Sequence, residues 1–337
     1  MIKSTLEQLI TKEDLSLSQS IEVMNEIMTG NVNNSHLAGL LIALKSKGET
    51  PEEIAGFARA MRNNSIKIDL QNESAIDVCG TGGDYSGTFN ISTATTFAVA
   101  AAGVTVAKHG NRSVSSASGS ADVLSELGVD INMTKETALD ALNKIGVAFL
   151  FAPNYHPAMK HAAPVRKELG VKTIFNILGP LTNPAGVKRQ MIGTYSRDMA
   201  EKMARSAEYL DYEKVCFICS ENKYDEILLN GKTDIFEYGK KNGLKHFTVS
   251  NETFSYPEVN INDIKGDSAK HNAAIIKELL MNKQKNSHFY VVAANTAFAL
   301  YCSGYSDDLL ECKKAAEDAL LSGKAYNKLE ELRNYSK

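Results

Sequence analysis

Tryptophan is absent from these 337 residues, and cysteine, at five, is both scarce and odd in number. So few thiols in so long a chain do not make a disulfide framework, which points to reduced cysteines. Cys216 and Cys219 form a CxxC, but they lie in the apolar run Val215–Cys219 with no second pair or flanking histidine, which reads as a buried strand. Charge of one sign is missing too: 37 basic side chains face 40 acidic ones, for a formal net charge of -3. No global positive field exists to hold nucleic acid or an anionic membrane, so any polyanion must be bound by local groups. The apolar stretch Phe97–Val106 is broken by Gly103 and Thr105. It falls far short of the roughly 20 residues a membrane span needs. The start, MIKSTLEQLITKEDL, lacks the apolar core of a signal peptide. A cytoplasmic protein with neither nucleic-acid nor membrane partners is expected. What is present is ordinary globular chemistry, 43% apolar and 23% charged, in a length that suits one large or two modest domains. The 12 Phe and 13 Tyr are scattered through periodic segments as core residues, not grouped as stacking platforms.

The first 65 residues read as successive helices. Ser18 can cap a segment that turns Ile21, Met24, Ile27 and Met28 inward and stops at Gly30. Leu37, Leu40, Leu41 and Leu44 recur at helical spacing. Thr50-Pro51-Glu52-Glu53 combines a cap residue, a proline at the first helical position and a glutamate three residues after the cap. After the polar link Asp69–Ser74, short apolar runs alternate with helical stretches, which argues for an α/β body with a mainly parallel central sheet flanked by helices. Strands are expected at Ile76–Cys79, Val104–Ala107, Val147–Phe151, Met191–Tyr195, Val215–Cys219 and Phe289–Ala294. Helices should begin near Ser92, Ser120, Asp198 and Ser268, and the last forty residues look helical. Alternation in Thr233–Tyr238 and Leu244–Val249 suggests an antiparallel hairpin or edge. The division that follows is a helical domain over 1–70, with a contribution from about 165–190, and an α/β domain over 75–337.

In an open parallel sheet, ligands bind beyond the carboxyl ends of the strands, so the residues that follow each strand carry the chemistry. Gly80-Thr81-Gly82-Gly83-Asp84 leads through Thr88-Phe89-Asn90-Ile91-Ser92-Thr93 into an alanine-rich helix. Such a loop is equally a plain glycine-rich turn or an anion cradle of main-chain N–H groups; it matches neither a Walker loop nor GxGxxG. Lys108-His109-Gly110-Asn111-Arg112-Ser113-Val114-Ser115-Ser116 gathers two fixed cations, a glycine and several hydroxyls at a strand end. That is a local phosphate site in a chain without global positive charge. His109 is read as a hydrogen-bonding group, and no residue is assigned as an acid or base. Asp225-Glu226 is a common surface pair taken alone, but adjacent carboxylates diverge and can serve two hard cations bridged by phosphate oxygens. His156 and His161 are five apart, which does not suit a helical metal pair, whereas Arg166 offers a planar fork for a substrate carboxylate or, equally, decorates a solvated helix.

GTGGDYSGTFNIST, KHGNRSVSSASGSADVLSELG, HPAMKHAAPVRKELGVKTIFNILGPLTNPAG and YDEI, in that order, closely resemble the anthranilate phosphoribosyltransferases, and the likeness runs from the helical start to the C-terminal helices. The resemblance implies a small helical domain joined to an α/β domain, a cleft between them as active site, and a homodimer formed through the helical domain. It implies transfer of the phosphoribosyl group of phosphoribosyl diphosphate (PRPP) to the amine of anthranilate in tryptophan biosynthesis. PRPP would lie on Gly80, Gly83, Asp84, Thr88, Asn90, Ile91, Ser92, Thr93, Lys108, His109, Gly110, Asn111, Arg112, Ser113, Val114, Ser115, Ser116 and Ser120. Anthranilate would meet Gly80, Asn111 and Arg166, with His109 and Pro153–Tyr155 near its path. Two Mg²⁺ ions would be held by Ser92, Asp225 and Glu226. Two local departures stand out: Ser220–Tyr224 lacks the glycine-rich run many relatives carry before their Asp-Glu pair, and Tyr85-Ser86 follows Asp84 where a small residue is common. A pyrimidine nucleoside phosphorylase, typically a longer chain, is the alternative enzyme. A non-catalytic nucleic-acid-binding homologue is the alternative of another class, disfavoured by retention of Asn111, Arg166, Asp225 and Glu226.

Overall fold

The computed structural model describes residues 2–82, 87–113, 118–282 and 284–336. Its elements run, in chain order, α1 (Ile2–Ile10), α2 (Leu17–Met28), α3 (Asn34–Lys47), α4 (Pro51–Asn63), β1 (Ile76–Gly80), α5 (Ile91–Ala101), β2 (Val106–Gly110), α6 (Ser120–Glu126), α7 (Lys135–Lys144), β3 (Val147–Phe151), the short α8 (Ala152–Tyr155), α9 (Ala163–Leu169), α10 (Phe175–Leu178), β4 (Arg189–Gly193), α11 (Arg197–Ser206), β5 (Lys214–Ser220), β6 (Thr233–Gly239), β7 (Gly243–Val249), α12 (Ala269–Asn282), α13 (Ser287–Ser303), α14 (Leu309–Leu321) and α15 (Lys324–Tyr335).

Local chemistry explains the helical start. Ser16, not Ser18, caps α2, closing a capping box with Gln19, and Gly30 takes φ +79° just past the helix end. Thr50 and Glu53 close a second box at α4. Glu53 is wholly buried, and its other carboxylate oxygen accepts from Leu15 N at 2.8 Å, so one side chain both caps α4 and ties down the α1–α2 link. Val165 of α9, Phe175 of α10 and Ile174, which precedes α10, share the hydrophobic cluster of α1–α4.

The sheet has seven strands in the order β3-β2-β1-β4-β5-β6-β7. β1 to β5 pair in parallel, and β6 and β7 add an antiparallel hairpin in the alternating segments. Apolar side chains cover both faces. Cys216 and Ile218 face the cluster built with α5, α13 and α15, whereas Val215, Phe217 and Cys219 face the cluster of α11 and the helical bundle. A three-residue step along a strand puts the two sulfurs of the CxxC on opposite faces, which is why it cannot chelate an ion.

Three sequence expectations need correction. Phe289–Ala294 is not a strand but the first part of α13, capped by Asn286, whose side chain accepts from Phe289 N at 3.0 Å, and stopped by Gly304 at φ +80°. The run is buried on every side, so it lacks the periodicity that separates helix from strand. β2 begins two residues later than expected and extends through Gly110, so Lys108, His109 and Gly110 belong to the strand and the loop proper begins at Asn111. β4 likewise begins and ends two residues early, at Arg189 and Gly193.

Candidate active site

β1 lies between β2 and β4, at the point where the strand order reverses, and a cavity of about 890 Å³ opens at the carboxyl ends of these strands. Its lining brings together Gly80, Thr88, Asn90, Ser92, the run Lys108–Ser113, Ser120, Arg166, Asp225 and Glu226. Ile91 and Thr93 do not reach it: both side chains are fully buried beneath the first turn of α5. Pro153 lines the cavity, whereas Tyr155 is buried behind it. Gly83, Asp84, Val114, Ser115 and Ser116 lie outside the described residues.

Asp77, the second residue of β1, organises the floor without lining the cavity. It is wholly buried and accepts from His109 N at 3.1 Å, Asn183 Nδ2 at 2.9 Å and Gln190 Nε2 at 3.1 Å. Burial raises its carboxyl pKa, and the nearby Lys108 ammonium opposes that shift. The chain of bonds continues from Gln190 through the Tyr212 hydroxyl to Arg62 of α4, so the helical bundle and the strand ends share one buried polar network. Lys108 donates to Val78 O at 2.7 Å, and burial lowers its pKa against the pull of Asp77, Cys79 and Glu226.

The carboxylate pair arrives on the β5–β6 connection. Glu221 and Asn222 both take φ +51°, a left-handed turn made without glycine. Their side chains hold it: Glu221 accepts from Lys232 N at 2.9 Å and Asn222 from Arg197 N at 2.8 Å. Beyond the turn, Ser220 Oγ donates to Glu226 O at 2.5 Å, and Asn295 of α13 bonds both the N–H and the carbonyl of Ile227 at 3.0 and 2.8 Å. The pair therefore rests on main-chain groups fixed from two sides. Asp225 crosses directly over β1 and β4: a Cβ at Gly80 would stand 2.6 Å from its Oδ2, and one at Gly193 only 1.7 Å from its carbonyl oxygen. Glu226 turns toward α5, where Oε1 accepts from Ser92 N at 3.1 Å. Ser92, Asp225 and Glu226 supply hard oxygen donors in one cavity, and among the described residues no group of three His, Cys, Asp or Glu side chains forms a closed metal site. That donor set fits Mg²⁺, which completes its shell with water and phosphate oxygens.

Two arginines differ. Arg112 Nη1 pairs with Asp122 Oδ1 at 2.7 Å, and Asp122 Oδ2 accepts from Ser113 N and Gly119 N, both at 3.0 Å, so that this ion pair closes the base of the 111–120 loop. Arg166 has no carboxylate within ion-pair distance among the described residues; its guanidinium lies 5.2 Å from the Phe175 ring centre, and burial alone lowers its pKa. In the same cavity His109 and His156 stand with ring centres 5.2 Å apart, their pKa values lowered to about 3 and about 4 chiefly by burial. Neither Nε2 has a hydrogen-bond partner among the described residues.

Sequence reading missed Asp77, Asp122, Gly193, Ser220 and Asn295. Only Asp122 carried a local signal, an acidic residue three positions into a helix that starts after a glycine. Asp77, Gly193 and Asn295 act through contacts distant in sequence, and Ser220 through a turn whose shape the sequence does not show.

Comparison with known proteins gives the same outline. Residues 3–65 match the glycosyl transferase family helical bundle domain and residues 72–326 the glycosyl transferase family a/b domain. Anthranilate phosphoribosyltransferase of Clostridium kluyveri is 45% identical over 336 residues, covering 100% of both chains. Among solved structures, the anthranilate phosphoribosyltransferase of Thermus thermophilus is 38% identical with a TM-score of 0.93, covering 98% of this chain and 99% of its own. That of Saccharomyces cerevisiae in complex with PRPP and Mg is 27% identical with a TM-score of 0.90, covering 99% and 97%. These matches give no support to a pyrimidine nucleoside phosphorylase or a nucleic-acid-binding homologue. Helical bundle, α/β sheet, cavity and full-length likeness agree, and the chain belongs to the anthranilate phosphoribosyltransferase family.

Proposed function

We propose that this chain transfers the 5-phosphoribosyl group of PRPP to the amine of anthranilate, giving N-(5-phosphoribosyl)anthranilate and pyrophosphate in L-tryptophan biosynthesis. The observation that carries the reading is Arg166: a half-buried guanidinium with no carboxylate partner among the described residues, set in the same cavity as the Ser92, Asp225 and Glu226 oxygens. An aromatic acid supplies the missing carboxylate and packs its ring among Met61, Met159 and Phe175.

PRPP is assigned to Gly80, Thr88, Asn90, Ser92, Lys108–Ser113 and Ser120, together with Gly83, Asp84 and Val114–Ser116. Ser92, Asp225 and Glu226 would hold Mg²⁺, two ions in this reading, which when bound would supply positive charge to offset that growing on the leaving diphosphate. The chain's own part is electrostatic and geometric. Lys108 places a buried positive charge at the cavity lining, and Arg166 aims the aryl amine at the ribose. The aryl amine is neutral at pH 7, so no residue has to remove a proton before attack. Neutral His109 and His156 add no competing cation to the Arg166 cavity.

Residues 1–70 with about 165–190, and residues 75–337, are proposed as the two domains that enclose this cleft. Exposed Ile10 and Ile42 on α1 and α3 support a homodimer through the helical domain. A cytoplasmic setting is proposed from the reduced cysteines; no helix among the described residues is long and apolar enough to cross a membrane. The direct test is anthranilate fluorescence after addition of PRPP and Mg²⁺. The signal should decay, and no decay at high enzyme concentration rejects the reading.

A further inference from the structure

Two loops that this reading gives to PRPP leave neighbouring strands: residues 81–90 follow β1 and residues 111–119 follow β2. A side chain from neither bonds both. Asn272, on the first turn of α12, is 2% exposed and lines the cavity. Its Nδ2 donates to Asn90 Oδ1 at 2.9 Å and to Ser118 Oγ at 2.8 Å, and its Oδ1 accepts from Asp267 N at 2.8 Å. Ser118 Oγ in turn donates to Asn90 Oδ1 at 3.1 Å, and Asn90 Nδ2 donates to Ser118 O at 3.3 Å. All three side chains thus form one closed set joining both loops.

The same segment grips the first loop through its backbone. Gly266 N donates to Gly87 O at 2.7 Å, and Phe89 N donates to Ile264 O at 3.2 Å. A Cβ at Gly266 would fall 2.6 Å from Phe89 Cα, so the segment lies flat against the loop. One consequence concerns Asn90, which occupies the cap position of α5 yet makes no side-chain capping bond. Its carboxamide is turned aside to Ser118 and Asn272.

We infer that Asn272 is a positioning residue for PRPP, fixing the separation of the two phosphate-binding loops by holding Asn90 and Ser118 together; the inference rests on the phosphoribosyl-transfer reading of the cavity. An amide is required. Its two N–H donors meet two oxygens while its carbonyl takes a main-chain N–H, whereas a carboxylate would face Asn90 Oδ1 without a proton and add negative charge beside an anionic substrate.

The test is steady-state kinetics of wild type, Asn272→Ala, Asn272→Asp, Ser118→Ala and Asn90→Ala, with the PRPP and anthranilate KM values measured separately. Asn272→Ala should raise the PRPP KM about tenfold, as expected for loss of two hydrogen bonds, and leave the anthranilate KM within about twofold. Asn272→Asp should be worse than alanine. Ser118→Ala, the milder change, should raise the PRPP KM about threefold even if the Asn272 variants fail to fold. Asn272→Ala should add little on an Asn90→Ala background if it acts through that side chain. An unchanged PRPP KM in both Asn272→Ala and Ser118→Ala, or equal rises in the two KM values, overturns the inference while an active wild type upholds the functional reading. A wild-type chain that consumes no anthranilate overturns both.

Discussion

The two sides of the cavity are built on different principles. On the β1–β2 side charged groups already have protein partners: Glu226 takes Ser92 N, Arg112 takes Asp122, and Lys108 takes Val78 O. On the α8–α10 side the wall is more apolar, and its half-buried cation, Arg166, faces an aromatic ring instead of a carboxylate, while the exposed Lys160 also lines this side. A diphosphate carries enough charge and enough acceptor oxygens to be recognised by a preformed lattice of main-chain groups and ions. A small aromatic acid offers one carboxylate and a ring, so a single desolvated charge against an apolar surface does most of the discrimination. The comparison predicts that damage to the first side is spread over metal, PRPP and turnover, whereas damage to the second stays with anthranilate.

The largest effect should come from Asp225→Asn combined with Glu226→Gln. Removing both carboxylates should cut turnover by about 100-fold or more, consistent with losing several kcal/mol of charge stabilisation, and raise the Mg²⁺ needed for half-maximal rate. A metal titration identical to wild type would remove the pair from the site. Arg166→Ala should raise the anthranilate KM by about 30-fold, the equivalent of roughly 2 kcal/mol for a charge-assisted bond in a half-buried site, and leave the PRPP KM within about twofold. Lost turnover at unchanged KM would contradict the division between the two sides. Gly193→Ala is subtler, because the added methyl must displace the Asp225 carbonyl. A cost of about 1–3 kcal/mol in stability is expected, together with a weaker response to Mg²⁺, read from thermal unfolding and from the same titration.

How far these two sides could be read from sequence differs for a physical reason. Gly80, Lys108 and Asn111 lie within a few residues of a strand end, and strand-then-glycine-then-helix is a local pattern with a local cause. The hairpin of β6 and β7 and the capped α4 were legible on the same grounds. α13 was not, since a helix buried all round shows no stripe, and its Asn295, which bonds Ile227 next to the carboxylate pair, was hidden with it. Asp77 and Gly193 look like any strand residues until β1, β2 and β4 are laid side by side. The Arg166–Phe175 contact could be guessed only as far as residue type, because nothing along 156–183 says which side chains of that irregular segment turn inward.

The smallest effect expected concerns pH and separates the two sides once more. His109 and His156 have folded-state pKa values of about 3 and about 4, below the ordinary 6.5, because burial disfavours the imidazolium. Below about pH 6.5 the unfolded chain therefore binds protons at these positions that the folded chain refuses. Stability contributed by the neutral rings is complete above pH 6.5 and is lost as pH falls toward the folded values. The loss should be of order 1 kcal/mol for each ring over the first unit below pH 6, with His288, also lowered by burial, adding in the same direction. Thermal midpoints measured from pH 7.5 to 5 should decline for wild type and decline less for the double variant His109→Gln and His156→Gln. Over the same range the anthranilate KM of wild type should be nearly flat, since both rings stay neutral in the Arg166 cavity. A KM that changes with pH near pH 6.5 would mean that a cation forms on the anthranilate side within the physiological range, and the contrast between a charge-paired wall and a wall with one desolvated charge would fail.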